Sequence, residues 1–304
     1  MDASRPEERA ALIALLQASG PIRPWSEITA DVVEAGSALA VWNRQAPAVL
    51  MAPPAERDAL AAAAQQVSHW ARRGWRLTTI LDPDYPARLR EIHQAPPILF
   101  SRGLLTPDDP AVAVVGSRQA SEHGLDMAAG VARELVTRGI TVVAGLARGI
   151  DTAAHLATLD AGGRTVAVIA TGIARVYPPE SHPLNEQIAA RGLVLSQFWP
   201  EAPPRRHTFL MRNATMSGYG LATVVVEAGE RSGARVQARL AVEHGRPVIL
   251  TDTVVDRNDW ARALVGRPGV HVARRLRDVT DAVARVMAER ADVAVELQRL
   301  ASAQ

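Results

Sequence analysis

The chain has 304 residues, 48% apolar and 22% charged, with a formal net charge of only +2, which suits a globular protein of about two domains. It has no cysteine, so disulfides, thiolate nucleophiles and cysteine-based zinc or iron–sulfur sites are excluded. It has no lysine either: all 34 basic side chains are arginine, which removes Schiff-base and P-loop lysine chemistry and leaves guanidinium forks to meet any phosphate. No apolar run approaches the roughly 20 residues that cross a bilayer. The opening MDASRPEERA lacks the basic-then-apolar pattern of a signal peptide, so a cytoplasmic location and no membrane partner are expected.

Residues 1 to about 75 read as a small helical domain. A helix over 6–18 carries Ala10, Leu12, Ile13, Leu15 and Leu16 and stops at Gly20-Pro21. A second starts near Ser26, and a third spans 55–73 after the Pro53-Pro54 break. Trp25, Trp42, Trp70 and Trp75 fall in this region and read as core fillers rather than base-stacking platforms. Residues 76–110 form a lead-in. Asp82-Pro83-Asp84-Tyr85-Pro86 must turn, because two prolines forbid continuous helix or ladder pairing. A short strand over 98–100 edges the main sheet, and 104–110, with two prolines and two aspartates, reads as a linker.

From Ala111 the texture is βα alternation. The apolar run 111–115 fits a strand covered on both faces. The helix after it shows Ala128, Val131, Ala132, Leu135 and Val136 in one stripe, and the next strand is 141–144, which makes a βαβ unit with a helical crossover. Further strands are expected at 165–169, 193–196, 221–227, 248–251 and 270–272. Helices are expected at 151–161, 182–190, 209–217, 233–244 and 259–265. Asp278 is placed as the N-cap of a last helix from 279 to about 290. The expected fold class is α/β: an extended Rossmann-like, doubly wound, mostly parallel sheet over 111–278, preceded by the helical domain and followed by a C-terminal helix and tail over 279–304.

Four constellations at strand ends could carry chemistry. The first, Gly116-Ser117-Arg118 with Ser121 and Gly124, is not the G-x-G-x-x-G of dinucleotide binding. No acidic residue ends the next strand to hold a ribose, so no nicotinamide or flavin cofactor is expected. A glycine turn with an arginine suits a shorter phosphate-bearing ligand, and serves equally as a plain structural turn. The second is Gly145-Leu146-Ala147-Arg148-Gly149-Ile150-Asp151, in which Asp151 is placed as a helix N-cap. His155 lies one helical turn on, so either an Asp–His catalytic pair or a cap beside a satisfied histidine fits. The third is TFLMRNATMSG, with Arg212 and Asn213; the fourth places Glu227, Arg231, Ser232 and Gly233 after a very apolar strand. Arg118, Arg148, Arg212 and Arg231 therefore stand at four strand edges. The eight histidines show no H-x-H or H-E-x-x-H spacing, and no metal is expected.

At these residues the sequence closely resembles the bacterial DNA-processing protein A (DprA/Smf) family. The matching words are AVVGSR with Ser121 and Gly124, VVAGLARGIDTAAHLATLDAGGRTVAVIATG, VYPPES, PPRRHTF with the Arg212-Asn213 pair, and ATVVVEAGERSGA; DPDYPARL and PPILFSRG match the lead-in. The resemblance implies an extended Rossmann-like fold that binds single-stranded DNA, dimerises, helps load the RecA recombinase during natural transformation, and hydrolyses nothing. It places the family's glycine–serine–arginine turn on Gly116, Ser117 and Arg118, its Arg-Asn arginine on Arg212, and a basic residue on Arg231. The chain departs from the family pattern at Ala214–Gly218, at Ala234-Arg235-Val236-Gln237, and after Leu250.

The expected function is thus a non-enzymatic mediator whose arginines contact phosphates, with Tyr177, Phe209 or Tyr219 either stacking on bases or packing in the core. The alternatives are a nucleotide sensor, or a nucleoside-monophosphate phosphoribohydrolase using Glu227 beside Ser232-Gly233. The latter lacks its P-G-G-x-G-T-x-x-E pattern here.

Overall fold

A computed structural model describes residues 4–19, 23–45 and 58–302. The N-terminal helices are α1 (Ser4–Ala18), α2 (Trp25–Ala35), α3 (Ala38–Gln45) and α4 (Ala59–Arg72). The Gly20-Pro21 stop, the Pro53-Pro54 break and positions 55–57 of the expected third helix lie outside the described residues. Leu12, Ile13, Ile28, Val32, Trp42 and Trp70 share one core, and that core continues onto the sheet through Phe100, Ala167 and Val194. Trp70 meets Phe100 edge-on at 4.9 Å between ring centroids. Trp42, Trp70 and Trp75 are buried, as core fillers should be.

The described residues form a sheet of β1 (Arg76–Thr79), β2 (Ile98–Gly103), β3 (Ala111–Gly116), β4 (Thr141–Ala144), β5 (Thr165–Val168), β6 (Leu193–Ser196), β7 (Ala222–Glu227), β8 (Val248–Thr251) and β9 (Val270–Ala273). Their spatial order is β1-β2-β6-β5-β4-β3-β7-β8-β9. The β1/β2 and β2/β6 pairs are antiparallel and the rest parallel. The chain winds outward from β3 in both directions, so the sheet is doubly wound and its switch point sits beside β3.

Alternation along β3 explains the layers. Val112 and Val114 face a core shared with α6 (Glu122–Thr137), α7 (Ile150–Asp160) and α13 (Leu276–Ser302). Ala113 and Val115 face the opposite core, built with α9 (Arg206–Tyr219) and α10 (Gly233–Glu243). The remaining helices are the short α5 (Ala87–Arg90), α8 (His182–Arg191), α11 (Asp252–Arg257) and α12 (Asp259–Arg262).

Three expectations change. Strand β1 was not anticipated: four residues beginning with an arginine carry little pattern, and its Leu77↔Phe100 pairing is a tertiary feature. Segment 104–110, expected as a linker, is pinned to the sheet. Leu105 and Asp109 are buried, and Asp109 accepts hydrogen bonds from Arg164 Nε and the Tyr219 hydroxyl, both at 2.9 Å, and from the Thr141 hydroxyl. Asp278 is not the N-cap. The last helix begins two residues earlier, and the Asp278 carboxylate, in its first turn, accepts the backbone N–H groups of Arg274 (2.9 Å) and Arg275 (3.0 Å). Those donors hold its pKa below the ordinary value. The helix also runs well past 290, to Ser302.

Candidate functional site

The crevice forms where the carboxyl ends of β3, β4 and β7 meet α6, α7, α9 and α10. Ser121 caps α6, its hydroxyl accepting from Gly124 N at 3.1 Å. The Glu227 carboxylate, at the end of β7, receives the Ser121 hydroxyl at 2.5 Å and the Ser121 backbone N–H at 3.1 Å. The Glu227 carbonyl accepts from Ser117 N at 2.7 Å. This close approach requires glycine at 116, because a Cβ there would stand 2.7 Å from that carbonyl oxygen and press on Ile150.

The second turn packs directly on the first. Ile150 N donates to Ser117 O at 3.2 Å. Gly149 adopts φ +73° with its α-carbon hydrogens against the same oxygen. Buried Leu146, at φ +59°, holds a left-handed backbone that costs a non-glycine residue about 1 kcal/mol or more. Asp151 does not cap α7; Gly149 occupies that position. Its carboxylate instead turns back to accept Gly145 N (2.9 Å) and Ala147 N (3.4 Å), tying the turn shut. Burial raises the Asp151 pKa, opposed by the Arg212 guanidinium and these backbone donors. His155 forms no pair with Asp151. It is wholly buried, its Nδ1 lies 2.6 Å from the Thr165 hydroxyl, and burial pushes its pKa down to about 3.

Arg212 is held by the protein before any ligand arrives. Nη1 donates to Val168 O at 3.0 Å and Nε to Asn213 Oδ1 at 3.1 Å. The side chain is only 6% exposed. Its guanidinium lies where a Cβ on Gly145 would be, so any larger residue at 145 would displace it. Burial lowers the Arg212 pKa and Asp151 counteracts it. Asn213 Nδ2 reaches Gly233 O at 3.4 Å, and Ser232 caps α10 by accepting from Ala234 N at 3.1 Å. Arg118 is exposed and lies over the Phe209 ring, 5.4 Å from its centroid. Arg148 is paired with Glu180 at the rim. Arg231 is exposed and has no ion-pair partner among the described residues.

A single cavity of about 830 Å³ collects these groups. Of the eleven sequence-derived candidates it is lined by Gly116, Ser117, Arg118, Gly145, Arg148, Arg212, Asn213, Arg231, Ser232 and Gly233; Gly149 stands behind it against Ser117. Phe209 and Tyr177, which meet edge-on at 5.9 Å, line it too. Tyr219 does not: it is buried, and its hydroxyl, kept protonated by burial, serves Asp109. The sequence reading missed Gln237, which lines the cavity nearly fully buried with both amide atoms unpartnered. Its one signal was that it sits where the sequence leaves the family pattern. Among the described residues no three histidine or carboxylate side chains converge to hold a metal ion, and no described helix is long and apolar enough to cross a membrane.

A mostly parallel, doubly wound sheet with glycine turns and arginines at its carboxyl edge defines an extended Rossmann-like α/β protein. The family described as DNA recombination-mediator protein A matches residues 76–283, and the chain belongs to that family. It is 42% identical over 172 residues to protein Smf of Synechocystis, covering 55% of this chain and 43% of that one. It is 42% identical over 171 residues to DNA processing protein DprA of Streptococcus pneumoniae, covering 56% of this chain and 60% of that one. The chain therefore matches only about half of the length of these curated relatives. The crystal structure of the pneumococcal protein superposes with a TM-score of 0.63 at 29% identity, over 90% of this chain and 95% of that chain. DNA processing protein A from Helicobacter pylori, whose structure is described by its single-stranded DNA binding mode, shares the fold. Its TM-score is 0.61 at 22% identity, over 69% of this chain and 96% of that one.

Proposed function

We propose that this protein binds single-stranded DNA in the arginine-lined cavity and acts, without catalysis, as a recombination mediator that as a homodimer hands the strand to RecA. The observation that carries the reading is the convergence of Arg118, Arg148, Arg212 and Arg231 on one recess. The N-terminus of α10, whose Ser232 and Gly233 line the cavity, adds the positive end of a helix dipole for phosphate oxygens. Depth favours a single strand. Arg212 is almost fully buried at the cavity floor, where the phosphates of a stiff duplex do not reach, whereas a flexible strand bends in and lays bases against Phe209 and Tyr177.

The phosphoribohydrolase alternative needs a carboxylate free to act on a ribose, and Glu227 is spent on capping Ser121. Titrating labelled oligothymidine against duplex of the same length at two salt concentrations tests the proposal. Single strand should bind more tightly than duplex and weaken steeply with salt; equal affinity for both would overturn it. Release of adenine from AMP would instead establish the enzyme.

A further inference from the structure

The binding cavity ends in a row of surface features. Tyr177 and Pro178 line it, and the adjoining Val176 and Pro179 line a second cavity of about 300 Å³. Trp75 closes that second cavity and also lines a third, of about 840 Å³, between the end of α4 and Trp199–Glu201 after β6. In this last groove Trp70, Trp75 and Trp199 interleave with His69, Arg72 and Arg73.

The charges along the row are unevenly answered. Arg102 grips Glu186 with two bonds, at 2.8 and 2.6 Å. Arg175 lies against Glu201, donating to its carbonyl at 2.7 Å and standing 3.9 Å from its carboxylate. Arg72 and Arg73 are exposed and have no carboxylate partner among the described residues. The Arg73 guanidinium lies over the Trp75 ring, 4.6 Å from its centroid. Trp199, partly exposed, is braced by Trp25 edge-on at 5.2 Å and by Trp70 at 6.0 Å with 34° between planes. An indole held in place beside two guanidinium groups that have no carboxylate partner among the described residues offers a ring for a base and charge for the flanking phosphates. Five strand spacings of about 4.8 Å separate β1 from β3, so only roughly 24 Å of strand is needed to reach from one site to the other.

We propose that the Trp70–Trp75–Trp199 groove is a second subsite for the same single strand. Nucleotides leaving the arginine cavity past Tyr177–Pro179 are taken up by Arg72, Arg73 and Trp199. This rests on the function proposed above, and the experiment separates the two. Oligothymidines of about 5 and about 20 nucleotides are titrated against the wild-type chain and the Arg72→Ala/Arg73→Ala double variant, following binding by anisotropy and, separately, by tryptophan fluorescence. Both arginines are exposed, so the variant keeps its fold.

The 5-mer should bind both proteins equally. The 20-mer should bind the variant about tenfold more weakly, with a salt slope smaller by about 1.4. Only the 20-mer should quench tryptophan emission. If the variant binds the 20-mer as the wild type does, or if long and short strands bind the wild type with the same affinity and salt slope, the second subsite is refuted while the cavity stands. If the wild type binds neither strand, both readings fall.

Discussion

The Arg212 guanidinium occupies the space that a side chain at Gly145 would need. The end of this α9 side chain is thus seated directly on the backbone of the β4 turn, and the position of the most buried arginine of the site depends on a missing methyl group. Gly145→Ala should displace Arg212, cost about 1–3 kcal/mol of stability through overpacking, and weaken DNA binding. A denaturant titration and a binding curve on the same protein check both effects.

Arg148 is paired at the cavity rim with Glu180, and both side chains are exposed. This contact competes with a phosphate for one guanidinium. Glu180→Gln should therefore raise affinity for single-stranded DNA about two- to fivefold and steepen the salt slope by about 1. An affinity lower than wild type would show that Arg148 needs Glu180 to be positioned.

Asp109 joins segment 104–110 to β4, β5 and α9 through Thr141, Arg164 and Tyr219. Asp109→Asn removes the charge that answers the partly exposed Arg164 and weakens a buried acceptor, and should cost about 1–3 kcal/mol. Thermal unfolding would register this as a lower Tm, with DNA affinity per folded molecule unchanged.

His155 gives an acid limit to stability. Its pKa is lowered from 6.5 to about 3 in the folded protein by burial, with a smaller contribution from Arg212. Above pH 6.5 both folded and unfolded states carry a neutral imidazole, and His155 contributes no pH dependence. Below it the unfolded chain takes up a proton that the folded one refuses, so stability falls by up to about 1.4 kcal/mol per pH unit until about pH 3. Urea unfolding from pH 7 to pH 4 should show this loss, and His155→Gln should flatten it whatever its effect at neutral pH.

The sheet was legible because its strands are short apolar runs, of which β3, β4 and β7 end in glycine turns, and parallel burial leaves that mark on sequence. The cavity was legible for a related reason: Gly116, Gly145 and Gly233 stand where strands end and helices begin. What could not be read was contact across the sheet. Asp151 looks locally like a cap, and only the fold of its own turn shows it accepting from Gly145 and Ala147. Glu227 looks like a free carboxylate until Ser121, 106 positions away, is brought to it. Strand β1 and the Asp109 junction were missed for the same reason, since each is defined by a partner far along the chain.

In the proposed function, guanidinium groups gathered at the strand ends hold a polyanionic strand. Arg118 and Arg231 line the cavity, are exposed and carry no ion pair among the described residues, so their removal leaves the fold intact. Affinity for an oligothymidine of about 20 nucleotides, measured across a salt series for the wild type, Arg118→Ala and Arg231→Ala, shows whether these side chains meet the phosphates. Each variant should bind more weakly, with a log K against log salt slope shallower by about 1. Wild-type slopes and affinities in both variants would place the DNA elsewhere and contradict the assignment.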